Sequence, residues 1–150
     1  MALDRFGDFV SDQVVAPVRE TCAQVLGTIL KQMPIDLVHK TVEILQKFIK
    51  QKDWEVRHGG ILGIKYMVVV REDLIQTFLP LIIKDILNGL LDKADDVSAV
   101  SALALIPIAT QLPKLLSPKQ VSYILSLVWD LLVEHQDELS SACNSFTGFL

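Results

Sequence analysis

The stretch that decides the fold is Asp53–Gly60, which reads DWEVRHGG and has the composition of a helix start. The Asp53 side chain stands where it can accept hydrogen bonds from the first free backbone N–H groups. Glu55 places negative charge in the first turn, where the helix dipole favours it. An apolar face then begins at Val56 and continues through Gly60, Gly63, Ile64 and Met67.

The same kind of start recurs along the chain at a nearly constant interval. Val18, Val56, Val97 and Leu139 hold equivalent positions, separated by 38, 41 and 42 residues. A period of about 40 residues is typical of solenoids built from helical hairpins. We therefore predict an all-α superhelix of about three hairpins plus a partial one, which favours an interaction scaffold over a catalyst.

Residues 1–150 are predicted to form a single segment of such an array. The repeats are expected at 1–33 (partial), 34–71, 72–112 and 117–150. Within them we predict helices at about 15–33, 35–50, 53–71, 74–91, 97–111 and 117–133, and a last helix that begins at 137. The pattern begins and ends within a repeat, which indicates a piece excised from a longer protein. Apolar ends of this kind are expected to make the piece pair or aggregate.

Two kinds of residue mark the ends and bends of these helices. Ser117, followed by proline and by Gln120 three positions on, has the form of a capping box. Pro80 and Pro107 fall inside predicted helices, where proline removes a hydrogen-bond donor, so we expect a bend at each.

Small residues stand four places after each register position, and we expect them to let neighbouring helices approach closely: Cys22, Gly60, Ser101 and Cys143. The two cysteines are therefore predicted to be buried free thiols on core faces, as in a reducing intracellular setting. Val25 and Ile29 of the first helix, Leu125 of the helix after Ser117, and Trp129 are likewise expected to be packed.

The composition excludes several classes of function. The chain is 51% hydrophobic with a mean hydropathy of +0.40, yet its longest apolar runs are interrupted by charges well short of the ~18 residues of a membrane span. The net charge of −4 argues against direct nucleic-acid binding by this segment.

No motif for chemistry is present, so we expect no catalytic residue, no metal and no cofactor. His39, His58 and His135 have no second histidine or cysteine at helical spacing and are predicted to lie on helix surfaces or in turns. A phosphate-binding loop and a nucleophile elbow are both missing from the sequence.

Acidic residues concentrate in successive turns, and equivalent turns of a solenoid line one edge. Such an edge can bind a basic protein surface, or it can simply be solvated. The candidate partner-binding residues are Asp53, Trp54, Glu55, Asp92, Asp95, Asp96, Glu134, Asp137 and Glu138.

Trp54 in this set has two interpretations. It can fold back on its own hairpin as a hydrophobic staple, or it can serve as an exposed anchor for a partner.

Paired helices with D-x-x-V-R at the start of the second helix resemble HEAT repeats. Val18-Arg19 and Val56-Arg57 match this pattern, whereas Val97-Ser98 and Leu139-Ser140 lack the arginine. These departures do not affect the helical-hairpin prediction, but they interrupt any continuous ladder of charges.

Two longer stretches are similar to the HEAT region of the TATA-binding-protein-associated factor of the Snf2 ATPase class. They are Asp4–Thr21, DRFGDFVSDQVVAPVRET, and Trp54–Lys65, WEVRHGGILGIK. The resemblance covers the whole chain. It implies a large nuclear protein whose HEAT array grips TATA-binding protein and whose distant ATPase domain, with ATP and Mg²⁺, removes that protein from DNA.

On that basis the segment would contribute binding to TATA-binding protein, or continuity with other HEAT repeats of the same chain, but no hydrolysis. One alternative is a generic HEAT scaffold of a transport or phosphatase-type complex, which would not share the Asp4–Thr21 stretch. Another is an unrecognised helical enzyme, which nothing in the sequence supports beyond ordinary polar residues.

Overall fold

The computed structural model of the chain describes residues 15–134 and residue 147. This part contains α-helices and 3-10 turns and no β-strand, which confirms the predicted all-α class. The helices are α1 Val15–Leu30, α2 Ile35–Ile49, α3 Trp54–Val70, α4 Ile75–Leu90, α5 Asp95–Leu105, α6 Leu112–Leu115 and α7 Pro118–Glu134, with 3-10 turns at Glu72–Leu74 and Ile106–Ile108.

The helices form two layers. Helices α1, α3 and α5 lie side by side, with α3 in the middle. Helix α2 packs on α3 and α4 packs on α5, each pair being joined by a four-residue turn, so each pair is a hairpin. Helices α2 and α4 touch one another in the second layer. The result is the side-by-side stack of hairpins that a helical solenoid requires.

Small residues bring the two helices of each hairpin close together. A β-carbon added to Gly60 would lie 2.8 Å from Ile49 Cγ1 and 3.0 Å from the backbone oxygen of Leu45. In the next hairpin Gly89 of α4 lies against the fully buried Ser101 of α5. The packing role predicted for Gly60 and Ser101 is confirmed. The core between the layers contains Ile61, Ile64, Phe78, Leu79, Ile82 and Leu105, all fully buried.

The two internal prolines behave differently from one another. Helix α4 continues across Pro80, whose ring is exposed. By contrast, α5 ends at Leu105, and Pro107 lies in the following 3-10 turn. The predicted helix to residue 111 is therefore too long, because proline cannot donate a backbone hydrogen bond and restricts the residue before it.

The helices begin close to the predicted positions. Of the two side-chain caps predicted, at Ser117 and Asp53, only the one at Ser117 forms. Ser117 Oγ accepts from the backbone N–H of Gln120 at 3.4 Å, and the Gln120 side chain accepts from the backbone N–H of Ser117 at 3.0 Å, which confirms the capping box. Asp53 is the N-cap of α3, but its side chain makes no capping hydrogen bond. The first bonds of that helix run instead to the backbone oxygen of Asp53, from the N–H groups of Val56 and Arg57.

Several residues predicted to be buried lie at the surface. Cys22 is exposed, and Val25 and Ile29 are more than half exposed. In α7 Trp129 is 58% exposed and Leu125 is 45% exposed. Cys143 lies outside the described residues. Periodicity identifies the apolar side of a helix, whereas burial needs a neighbour that covers it, and α3 covers a different face of α1, that of Ala23, Gly27 and Leu30.

None of the helices within residues 15–134 combines the length and the hydropathy that crossing a membrane requires.

Candidate protein interface

One edge of the stack is formed by the turns inside the two hairpins, residues 50–53 and 91–94. Arg57, in the first turn of α3, connects these turns. Its Nη1 donates to the backbone oxygens of Gln51 and Lys52, and its Nε and Nη2 donate to Asp92 Oδ2 at 2.6 Å and Oδ1 at 2.7 Å. The two turns are therefore held next to each other, as expected for equivalent turns of a solenoid.

Asp92 is committed to this contact inside the molecule. Its carboxylate also accepts from the backbone N–H of Ala94 at 2.9 Å, and its side chain is only 12% exposed. The hydrogen bond from Arg57 lowers the pKa of Asp92, and the same bond raises the pKa of Arg57. Asp92 thus fixes the turn, and its carboxylate has little surface to offer a partner.

The remaining candidate carboxylates beside this edge are Asp53 and Glu55 at the start of α3 and Asp95 and Asp96 at the start of α5. We call these four residues the acidic edge. Glu55 is half-buried and the other three are exposed. Lys52 and Lys93 are exposed in the same turns, so the negative charge is most concentrated where Asp95 and Asp96 stand together.

The third predicted acidic turn is only partly described. Glu134 is the last residue of α7, and its side chain is not described. Asp137 and Glu138 lie outside the described residues. The predicted extension of the acidic edge to the next hairpin therefore remains a prediction.

Trp54 lies between its own helix and α1. The Arg19 guanidinium is 4.9 Å from the Trp54 ring centroid, and the His58 ring meets the indole edge-on with centroids 6.5 Å apart. The indole is half-buried. These ring contacts place Trp54 against α1 and its own helix, and they leave part of the ring available at the surface beside the acidic edge.

The His58 side chain is more buried than expected for the helix-surface or turn residue that the sequence predicts. Its Nδ1 is buried and has no hydrogen-bond partner among the described residues. Burial, with a smaller contribution from the positive charge of Arg19, lowers the pKa of His58 to about 4, although the negative charges of Asp96 and Glu20 act in the opposite direction. The imidazole is therefore neutral at pH 7.

A second arginine holds the opposite edge of the stack. Arg71, just after α3, donates to the backbone oxygens of Leu30, the last residue of α1, and of Met33 in the turn that follows, at 3.3 and 2.8 Å. It also makes a two-pronged contact with Asp73, with both distances 3.0 Å. Sequence reasoning missed the role of Arg71, because the two partners that connect it to the region of α1 are backbone oxygens about 40 residues away.

No group of three or more potential metal-ligating side chains comes together within residues 15–134.

Comparison with known proteins identifies what the chain resembles. Human TATA-binding protein-associated factor 172 is 54% identical to it over 149 residues, which is 99% of this chain. The relative named BTAF1 from Arabidopsis thaliana is 46% identical over the whole chain. The chain is homologous to a segment of the TATA-binding protein-associated factors. This confirms the resemblance carried by Asp4–Thr21 and Trp54–Lys65.

The likeness extends to distant TATA-binding protein-associated factors. MOT1 of Saccharomyces cerevisiae is 36% identical over 160 aligned residues that include 99% of this chain. The chain spans only about 8% of the length of the human and yeast relatives and 7% of the plant one. No protein-family profile matches the chain.

Proposed function

We propose that this chain is a segment of the helical scaffold through which a nuclear TATA-binding protein-associated factor binds TATA-binding protein, and so contributes to its ATP-dependent removal from promoter DNA. The observation that carries the proposal is the 54% identity with the human factor across 99% of this chain. In this proposal the segment itself binds protein, and ATP hydrolysis belongs to another part of the parent molecule.

The geometry of the acidic edge supports a contact role for this segment. The Arg57–Asp92 contact holds two turns in fixed register, so the carboxylates beside them are presented from a rigid surface. Preorganised charges of this kind increase the rate and specificity of association with a surface of opposite charge. Asp95 and Asp96 are the best candidates, because both are exposed and no described contact occupies their carboxylates.

The proposal is tested by measuring the affinity of the purified chain for TATA-binding protein over a range of salt concentrations. We expect Asp95→Lys together with Asp96→Lys to weaken binding and to flatten its salt dependence, because charge attraction across an exposed interface is screened by salt. Circular dichroism of the variant would verify that the helices are retained.

The matched control is the double change Asp36→Lys and Glu72→Lys. Both residues are exposed at the opposite edge, and Asp36 also lies in the first turn of a helix. Equal losses in the two variants would rule out the acidic edge as the contact. If the unaltered chain fails to bind at low salt, these repeats do not contact TATA-binding protein, and their role is to space others that do.

A further inference from the structure

One serine of the chain is followed directly by a proline. The chain has six prolines, and all except Pro118 follow an apolar residue, so Ser117-Pro118 is the single Ser-Pro or Thr-Pro pair in the sequence. Proline has no backbone N–H and a fixed φ angle. A protein kinase that offers no hydrogen-bond acceptor to the residue after its target hydroxyl would leave the N–H of any other residue unsatisfied, and it therefore selects proline.

The Ser117 hydroxyl lies at the surface, in a short break between two helices. Helix α6 ends at Leu115 and α7 begins at Pro118, and Leu116 between them has an extended backbone, with φ −112° and ψ 155°. Ser117 is exposed, and its hydroxyl donates to the exposed Gln120 Oε1 at 2.8 Å. An enzyme can therefore reach this hydroxyl without disturbing the buried core.

The local charge around Ser117 is entirely positive, although the chain as a whole carries a net charge of −4. Residues 97–129 contain no Asp or Glu, and their only charged side chains are Lys114 and Lys119, three positions before Ser117 and two positions after it. Both lysines are exposed, one in the last turn of α6 and the other in the first turn of α7. This arrangement suits a group with negative charge at Ser117.

We propose that Ser117 is a phosphorylation site for a proline-directed protein kinase. In this reaction Ser117 Oγ forms a bond to the γ-phosphorus of ATP, the bond from that phosphorus to the oxygen bridging it to the β-phosphorus breaks, and ADP leaves. The hydroxyl proton passes to the general base of the kinase. The product is a phosphoserine in the link between the second hairpin and α7.

The phosphate would replace the capping box with a charged cap. Phosphorylation removes the hydroxyl hydrogen that Ser117 donates to Gln120, and the Gln120 amide can turn to donate its NH₂ group to the phosphate instead. Lys114 and Lys119 supply further donors for charge-assisted bonds. Negative charge at this position is also favoured by the dipole of α7.

The modification is tested by incubating the purified chain with ATP, Mg²⁺ and a cyclin-dependent kinase as the proline-directed enzyme, and locating phosphate by mass spectrometry. We expect phosphate on Ser117 and none in Ser117→Ala. Pro118→Ala keeps the hydroxyl and should lower the rate at least about tenfold, the lower limit for one lost recognition contact. Ser122→Ala is the matched control, because Ser122 is exposed in α7 but precedes tyrosine, and its loss should leave the rate unchanged.

The charged cap is tested by thermal unfolding of the chain before and after phosphorylation. We expect the Tm to rise by about 1–4 °C, and the rise to be smaller in Lys119→Gln. Lys93→Gln, which changes an exposed lysine of a different turn, should leave the rise unchanged. Circular dichroism of each variant must retain the helical signal.

Three results would overturn the proposal. Absence of phosphate on Ser117 of the folded chain would exclude the site, and equal rates for the unaltered chain and Pro118→Ala would exclude a proline-directed kinase. A lower Tm after phosphorylation would show that the phosphate breaks the capping box without replacing it.

Discussion

Gly89 of α4 and Ser101 of α5 are in direct contact across the second hairpin. A β-carbon added to Gly89 would collide with Ser101 Oγ and lie 3.2 Å from Ser101 Cβ. Ser101 Oγ itself donates to the backbone oxygen of Val97 at 2.7 Å. The separation of the two helices is therefore set by this pair of small residues.

This contact predicts a strong coupling between the two positions. Gly89→Ala should lower the free energy of unfolding by about 1–3 kcal/mol, the range for overpacking a core. In the background of Ser101→Ala, which removes the colliding hydroxyl, the same change should cost about 1 kcal/mol less. Urea unfolding of the four proteins of this double-mutant cycle measures the coupling, and additive effects would contradict the close contact.

Gly60 should be equally intolerant of a side chain, for a different reason. Its added β-carbon would meet backbone atoms, Ile49 N and Leu45 O, both at 3.0 Å, and backbone cannot move aside cheaply. Gly60→Ala should therefore destabilise the fold by about 1–2 kcal/mol net, after the higher helix propensity of alanine is counted. The measurement is again urea unfolding.

Gly27→Ala is the control for that experiment. Gly27 is also buried in a helix, but its nearest neighbour would be Tyr66 Cβ at 3.3 Å, and the gain in helix propensity offsets so small an adjustment. We expect a change within about 0.5 kcal/mol. Similar losses for the Gly27 and Gly60 variants would show that helix separation is not set at Gly60.

The Arg57–Asp92 contact should contribute measurably to stability. Asp92→Asn removes the charge while keeping a similar shape, and we expect a loss of about 2 kcal/mol at pH 7, typical of hydrogen bonds to charged groups. The Arg71–Asp73 pair, whose carboxylate is exposed, is the matched comparison. Asp73→Asn should have a smaller effect, because the Asp73 side chain is 62% exposed.

The Asp92 contribution should depend on pH in a defined direction. The pKa of Asp92 is lower in the folded chain than its ordinary value, so the contribution is fully present above about pH 4. It is lost as the pH falls through the lower, folded-state pKa. The stability difference between the unaltered chain and Asp92→Asn should therefore shrink below pH 4, and a difference independent of pH would exclude the charged contact as its source.

Protonation of His58 should make the stability of the fold depend on pH in a second range, above that of Asp92. Its pKa is about 4 in the folded chain and about 6.5 when unfolded, so the unfolded state binds the proton first. Stability should decrease by up to about 3 kcal/mol as the pH falls from 6.5 to 4. His58→Leu should remove this component from the stability curve, while His39→Leu, at an exposed position of α2, should leave it in place.

The sequence predicted the helices well because their signals are local. The spacing of Val38, Val42 and Leu45 specifies one buried face of α2, and the structure buries all three. The capping box at Ser117 and Gln120 involves residues three positions apart. In each case the interacting groups lie within a single helix or at its end.

The incorrect predictions have a common physical cause. Burial and long-range contacts depend on which element packs beside a helix, and the pattern within that helix does not specify this. Cys22 and Trp129 are on apolar faces that no described helix covers, so periodicity predicted a burial that does not occur. The partner of Arg57 is 35 residues away, and no local pattern distinguishes Asp92 from the neighbouring acidic residues. For the same reason the sequence predicts a surface carboxylate at Asp92, whereas the structure places it in an internal contact.

Arg57 and Arg71 flank the two ends of α3, and each connects it to a different neighbouring turn. Arg57 closes the stack toward α4 and α5 along one edge, and Arg71 closes it toward α1 along the other. Bending the stack open at either edge must break one of these arginine contacts while leaving the other intact. The curvature of this part of the array is thus governed by two separate contacts, and weakening only one of them would turn a stiff segment into a hinge that opens in a single direction.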